Sequence, residues 1–308
     1  METPTGIAFV ARRLVRIGME DAWTILKVLQ WTSDYFKRKG IPQPRSDAEV
    51  LLAHALGLER LQLYLRHDQP LAGSELARFR DLVKRRAARE PTQYITGRQE
   101  FWSLELEVTP ATLIPRPETE VLVEKALELV ESRPVRILDL GTGSGAIALA
   151  LAHEAPQISV LATDRSPEAL EVARRNARRH GLEGRISFAC MDLFEALRPD
   201  GRLFQLVVSN PPYIGDADIP HLPPEVGFFE PRDALRGGGP LGIDLLVRIL
   251  AQIPPFLQGG GHLLMEIGPG QEDPLARMAS EITGIANFQF LKDYSGMVRV
   301  LHVQMSER

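Results

Sequence analysis

The spacing of apolar and polar positions changes character twice along this chain. From residue 20 to about 90 it is helical. In EDAWTILKVLQWTSDYFKRKG, Trp23, Leu26, Leu29 and Phe36 fall at helical spacing with Gln30 and Ser33, and Gly40 and Pro42 end the run. Ser46-Asp47-Ala48-Glu49 predicts a second helix, with Ser46 as N-cap and Glu49 at the capping-box position before LLAHALGL. Ser74 is the expected cap of a third, ELARFRDLVKRRAARE, which Pro91 stops. Residues 94–108 then alternate around a glycine, as YITGRQEF and WSLELEV, and predict a β-hairpin. LIPRPETE and a helix (VLVEKALELVE) follow, and from there strands and helices take turns. The predicted strands are 135–140, 158–163, 186–190, 204–209, 262–267, 288–292 and 298–303. Seven strands separated by helices predict an α/β fold with a doubly wound, mostly parallel sheet. The expected organisation is a helical domain over 1–90, a hairpin linker over 91–112 and an α/β domain over 113–308.

Composition narrows the class. At 308 residues, 44% hydrophobic and 25% charged, the chain reads as an ordinary globular protein. Its single cysteine, Cys190, excludes a disulfide framework or cysteine-rich metal site, suits a reducing compartment and is expected as core filler. No apolar run approaches the ~18 residues of a membrane helix. The opening METPTGIAFVARRLVRIGM is interrupted by Arg12, Arg13 and Arg16 and does not read as a signal peptide; a cytoplasmic protein with about 15 loosely ordered first residues is expected. The net charge of −4 hides an asymmetry. Residues 1–100 carry 17 Lys/Arg against 12 Asp/Glu, whereas 101–308 carry 19 against 28. An acidic larger part argues against broad phosphate-backbone binding. The basic clusters KRK at 37–39 and KRR at 84–86 are expected on solvated helix faces. His54, His67 and His262 are expected to be structural, and neither His221 nor His262 has a motif neighbour to make it a general base.

Chemistry concentrates at two points. ILDLGTGSGAIALALA reads as strand, glycine turn and helix, and Gly141, Gly143 and Gly145 let a ligand approach the backbone. Gly141-x-Gly143-x-x-Ala146 also fits the dinucleotide fingerprint. Asp164, 23 residues after Gly141, closes the next strand where a ribose-binding carboxylate belongs. The loop alone thus indicates an adenosine-containing ligand without separating NAD from S-adenosyl-L-methionine. Asp139, just before it, either orders the loop or lies near the reactive end of the ligand. The second point is Asn210-Pro211-Pro212-Tyr213, after the strand FQLVVS. Asn-Pro and Pro-Pro are common in turns, but this run at the carboxyl end of an α/β strand lies where such sheets bind ligands. The Asn210 side-chain oxygen and the Pro211 carbonyl, stiffened by paired prolines, can accept both N–H bonds of a planar amide or amine. Tyr213 can stack on the flat group. That arrangement orients a delocalised nitrogen toward a methyl donor and favours S-adenosyl-L-methionine over NAD.

With these residues placed, the chain resembles the N(5)-glutamine methyltransferases of peptide chain release factors, the HemK or PrmC type. The resemblance rests on PTQYITGRQEF (91–101), LIPRPETE (113–120), DLGTGSGAIALALA (139–152), ATDRSPEAL (162–170), NPPYI (210–214), EPRDALRGG (230–238), LLMEIGPGQ (263–271) and KDYSGMVRV (292–300). It implies a Rossmann-like, class I methyltransferase sheet of seven strands, a small N-terminal helical bundle for substrate recognition and a β-hairpin linker. It implies methyl transfer from S-adenosyl-L-methionine, leaving S-adenosyl-L-homocysteine, to the glutamine of a Gly-Gly-Gln loop in release factors. No metal, nucleic-acid substrate or membrane is implied, and a monomer is expected. Carried over by motif, Gly141, Thr142, Gly143, Ser144, Gly145, Asp164, Leu193 and Asn210 hold the cofactor. Asn210, Pro211, Pro212 and Tyr213 bind the glutamine amide, with Asn210, Pro211 and Tyr213 as the catalytic group. Phe101 and the IPRPETE segment line the pocket. Leu193 stands where some members carry tryptophan, and GGGPLGIDLL departs from the usual GG-x-D-G-L-D. The runners-up are a ribosomal-protein glutamine methyltransferase, which shares the NPPY core, and a DNA adenine methyltransferase, which needs a basic cleft to flip its base. A silent binding module is the alternative outside catalysis.

Overall fold

The computed structural model describes residues 22–131, 133–199 and 203–307. The expectations for the first 15 or so residues lie outside them. Two compact units divide the chain between Thr96 and Gly97.

The first unit is helical. Helix α1 (Ile25–Arg38) starts at Thr24, whose hydroxyl caps it, and buries Ile25, Val28, Leu29, Thr32 and Phe36 rather than the whole stripe expected from Trp23 onward; Leu26 faces out. Helix α2 (Pro44–Leu56) begins two residues before Ser46, because Pro44 suits the first helical position, where no N–H is needed. Glu49 therefore lies inside the helix and not in a capping box. It is buried and accepts from Arg45 Nε (2.5 Å), Arg60 Nη2 (2.8 Å) and the Tyr64 hydroxyl. Arg60 and Tyr64 belong to a short helix, α3 (Arg60–Leu65), that the apolar pattern did not reveal. Helix α4 (Gly73–Ala87) is capped through Glu75, which accepts the Ala72 N–H at 2.7 Å, so Ser74 falls in its first turn. In the KRR cluster only part is a solvated face. Arg86 is buried with its Nε 2.7 Å from Asp47, while Lys84 and Arg85 pair with Asp81 and Glu90.

Residues 94–96, expected to be extended, form part of a helical turn, α5 (Thr92–Thr96), in which the Thr96 hydroxyl bonds back to the Thr92 carbonyl at 3.0 Å. The second unit then opens with the hairpin itself, β1 (Arg98–Phe101) against β2 (Leu104–Glu107). Its turn is Trp102-Ser103, both at positive φ (51° and 59°), the primed-turn geometry that suits a two-residue connection. Asn176 ties this hairpin to the rest of the unit. It accepts the Glu107 N–H (2.7 Å) and donates to the carbonyls of Glu107 (3.0 Å) and Ser144 (2.9 Å).

The remaining elements are α6 (Glu120–Val130), β3 (Arg136–Leu140), α7 (Ala146–Glu154), β4 (Ser159–Asp164), α8 (Pro167–Arg179), β5 (Ile186–Cys190), β6 (Phe204–Ser209), α9 (Pro224–Phe229), α10 (Asp244–Gln252), β7 (Leu257–Glu266), α11 (Glu272–Glu281), β8 (Ile285–Lys292) and β9 (Val298–Met305). The sheet order is β5-β4-β3-β6-β7-β9-β8, with the first five strands parallel and β9 antiparallel to both neighbours. Period two divides the core. Ile137, Leu206, Val208 and Leu264 pack on one face with α6 and α7; Leu138, Val207, Leu263 and Met265 pack on the other with α10 and α11. Burial on both faces explains why the central strands read as unbroken apolar runs. β7 starts five residues earlier than expected, through Gly259-Gly260-Gly261, where its pairing with β6 shifts register. Cys190 ends β5 exposed, with its thiol 3.6 Å from the Arg165 carbonyl, so it is not core filler. Among the described residues no helix is long and apolar enough to cross a membrane.

Candidate active site

The order reversal between β4-β3 and β6-β7 opens a crevice at the carboxyl ends of the parallel strands, as expected of a switch point. It holds a cavity of about 800 Å³, large enough for a nucleoside cofactor and part of a substrate. Its walls include Gly141, Thr142, Gly143 and Ser144 after β3, Asp164 ending β4, Leu193 after β5, and Asn210 and Pro212 after β6. Phe101, Pro115 and Thr119 line it as well. Gly145, Pro211 and Tyr213 are not on its walls.

The glycine loop is shaped from within. Gly141 and Gly143 adopt φ of +71° and +56°, and a Cβ on either would meet open space. Gly145 serves helix packing instead. At φ +85°, a Cβ there would come within 2.9 Å of Leu149 and 3.2 Å of Ala173, so its bareness lets α7 lie against α8. Asp164 accepts the Gly143 N–H on one oxygen and the Ser166 N–H on the other, both at 2.9 Å. Each oxygen keeps a lone pair for a ligand. Asp139 turns out to order the loop: it is fully buried, accepts the Thr142 hydroxyl at 2.7 Å, and does not line the cavity. Burial raises its pKa to about 7, against the opposing pull of that hydrogen bond. The open glycine face, the Asp164 carboxylate and the cavity volume together fit an adenosyl ligand. Leu193 lines the cavity from a left-handed conformation (φ +46°) unusual for a branched side chain.

The Asn210–Tyr213 side is held by side chains from remote segments. Asn210 Nδ2 donates to Thr119 Oγ1 (3.1 Å), the Thr119 hydroxyl donates to Glu266 Oε2 (2.6 Å), and the Tyr213 hydroxyl donates to Glu266 Oε1 (3.1 Å). Glu266 is 1% exposed, and burial raises its pKa against the pull of these two hydroxyls. Burial, with the charge of Glu266, also holds the Tyr213 phenol well above its usual range. Gln271 donates from Nε2 to the carbonyls of Tyr213 (2.8 Å) and Leu241 (2.6 Å) and accepts the Gly268 N–H (2.8 Å). The variant glycine loop packs backbone to backbone on the same run: a Cβ on Gly242 would lie 2.2 Å from the Tyr213 carbonyl oxygen. Glu230 pins the segment before Thr119, accepting the Ile114 N–H at 3.2 Å and the Arg116 guanidinium. Thr119, Glu266 and Gln271 do not stand out in the sequence, although each lies within one of the family-like motifs. The available signal was a carboxylate, Glu266, directly after the apolar run Leu263–Met265. Among the described residues no group of three or more His, Cys, Asp or Glu side chains is placed to hold a metal ion.

Two family models match the chain: a PrmC N-terminal domain over residues 27–97 and a methyltransferase small domain over 117–244. A release factor glutamine methyltransferase of Geobacter sulfurreducens is 46% identical over 91% of this chain and 96% of its own length. One from Xylella fastidiosa is 50% identical over 73% of this chain and 80% of its own. Among solved structures, the catalytic domain of hMettl16, in complex with an RNA hairpin, superimposes with a TM-score of 0.55 at 16% identity, covering 74% of this chain and 81% of that one. That likeness concerns the fold alone.

Proposed function

Because the chain belongs to the release factor glutamine methyltransferase family, we propose that it methylates the side-chain amide nitrogen of the glutamine in the Gly-Gly-Gln loop of release factors. The observation that carries this reading is that one cavity joins the glycine loop and Asp164 to Asn210 and Pro212. S-adenosyl-L-methionine, when bound, supplies a methyl group already activated on a sulfonium. The residues of the chain then act by placement. Gly141 to Ser144 and Asp164 hold the nucleoside end, with Gly145 letting α7 pack beneath them, and Leu193 covers the purine. The Asn210 oxygen and the Pro211 carbonyl accept the two amide N–H bonds, and Pro212 and Tyr213 seat the flat group. Such near-attack geometry can supply roughly 7–11 kcal/mol. The amide nitrogen gives up its proton only after gaining the methyl, so no strong general base and no metal is needed. The enzyme works as a monomer in the cytoplasm, on protein and not on nucleic acid, and its helical unit recognises the body of the release factor.

Incubation with labelled S-adenosyl-L-methionine and whole release factor, followed by peptide mapping, tests this. One methyl is expected on the Gly-Gly-Gln glutamine, far more on the whole factor than on a short peptide, and none when that glutamine is replaced by glutamate. Methyl on DNA, RNA or another side chain, with none on this glutamine, overturns the reading.

A further inference from the structure

A primary amide is almost symmetric in shape, so sterics alone hardly distinguish the two ends of the Asn210 side chain. Chemically they are opposites. With its oxygen toward the cavity Asn210 accepts an N–H bond; flipped, it would present two donors to a substrate that also offers donors. Something must set the orientation, and the hydrogen bonds identify it. A carboxylate only accepts, and the Thr119 and Tyr213 hydroxyls together with the charge of Arg299 favour that ionised form of Glu266 against its burial. Glu266 therefore takes the Thr119 proton at 2.6 Å, which leaves the Thr119 oxygen with only lone pairs to offer Asn210. The 3.1 Å contact from Asn210 to that oxygen can then be made only by Nδ2. The second oxygen of Glu266 is occupied by the Tyr213 hydroxyl, so the buried carboxylate is satisfied on both sides without turning. Thr119 stands on the cavity wall and Glu266 behind it.

We propose that Glu266, acting through the Thr119 hydroxyl, is a positioning residue for methyl transfer: it sets the amide of Asn210 with its oxygen toward the substrate. The inference rests on the acceptor role given to Asn210 above and goes beyond it by assigning what enforces that role. Neither Thr119 nor Glu266 gives up a proton in the reaction.

The test uses the full chain, single-turnover transfer at saturating cofactor and release factor, and calorimetric cofactor affinity. Thr119→Val keeps the shape and removes the hydroxyl. It should slow transfer about tenfold or more, with cofactor affinity changed by less than about twofold and KM for the release factor little altered. Thr119→Ser retains the hydroxyl and should recover most of the rate, which a packing role for the lost methyl would not allow. Glu266→Gln can donate to Thr119 and so reverse the polarity; it should slow transfer at least as much as Thr119→Val. In an Asn210→Ala background Thr119→Val should add less than about a further twofold, because the relay then has nothing to orient. Wild-type transfer in Thr119→Val, failure of Thr119→Ser to recover the rate, or the same fold-loss with and without Asn210 would each overturn the proposal. Wild-type transfer in Asn210→Ala alone would instead remove the reading on which it rests. Wild-type transfer in a folded Glu266→Gln would likewise overturn it, and the Thr119 pair tests the relay even if Glu266→Gln does not fold.

Discussion

The two sides of the cavity are built by opposite means. The glycine-loop side is local: residues 139–145 and 164–166 hold one another through backbone N–H groups, the buried Asp139 and the half-buried Asp164, within adjacent strands. The Asn210–Tyr213 side is long-range: its geometry depends on Thr119, 91 residues away in sequence, and on Glu266 and Gln271, more than 50 residues on. The first side offers a ligand open backbone and lone pairs, which is what binding requires. The second offers side-chain dipoles locked in one orientation, which lowers a barrier only if the lock holds. Damage to the first side should therefore appear in affinity or stability, and damage to the second in turnover.

The largest expected effect concerns Asp139. Its carboxyl is ordinarily near 3.8 and is raised to about 7 in the fold. A raised pKa means that the folded state holds the proton more tightly, so its contribution is full below about pH 4 and is lost as pH rises through 7. At about 1.36 kcal/mol per pH unit, the loss amounts to roughly 4 kcal/mol in the cofactor-free protein. Asp139→Asn, which can still accept the Thr142 hydroxyl, should lose less stability than the wild type over that interval. Urea unfolding from pH 4 to 8 measures the difference; parallel curves would show that the acid is not strained. Next in size, Asn210→Ala should lower the single-turnover rate by roughly 10²-fold, the scale of losing one preorganised polar group, and leave most cofactor affinity intact. If the rate holds and affinity collapses, the contrast between the two sides is wrong. Asp164→Ala should do the reverse. It removes charge-assisted hydrogen bonds, each worth about 1.5–3 kcal/mol, and should weaken cofactor binding at least about tenfold while turnover at saturation stays near wild type. Calorimetry with single-turnover rates separates the two results, and measurable NAD binding would count against the cofactor assignment.

The same contrast decides what could be read from the residues. The sheet was legible because each central strand is a short apolar run bounded by glycine, proline or a helix cap, and the glycine loop because it is contiguous. Asn210 was legible because its chemistry is written in four adjacent residues. Thr119, Glu266 and Gln271 were not, since a hydrogen-bond relay across such sequence distances exists only once the sheet has brought its strand ends together. Local readings failed where a tertiary contact outweighed a local rule. Glu49 has the spacing of a capping box, yet two arginines and a tyrosine hold it in the helix interior. Ile95 and Thr96 favour extended backbone, yet the Thr96 side-chain bond to the Thr92 carbonyl accompanies a helical turn there.

The smallest expected effect tests Leu193. Leu193 lines the cavity in a left-handed conformation, and any residue with a Cβ bears much the same strain there. Replacing it by tryptophan, as in some members of the family, therefore changes the surface offered to the purine more than the backbone beneath it. An indole can stack where a leucine only covers, and aromatic pairs gain about 0.5–1.5 kcal/mol beyond their buried area. Leu193→Trp should accordingly tighten S-adenosyl-L-methionine binding about two- to tenfold. S-adenosyl-L-homocysteine carries the same adenine, so its affinity should rise by the same factor, and product inhibition should strengthen in parallel. The transfer rate at saturating cofactor should not change, because neither the methyl nor Asn210 is touched. Titration of both ligands by calorimetry, beside single-turnover rates, reads all three. Tightening of one ligand without the other would place Leu193 near the methionine end, and unchanged affinity for both would remove it from the cofactor wall.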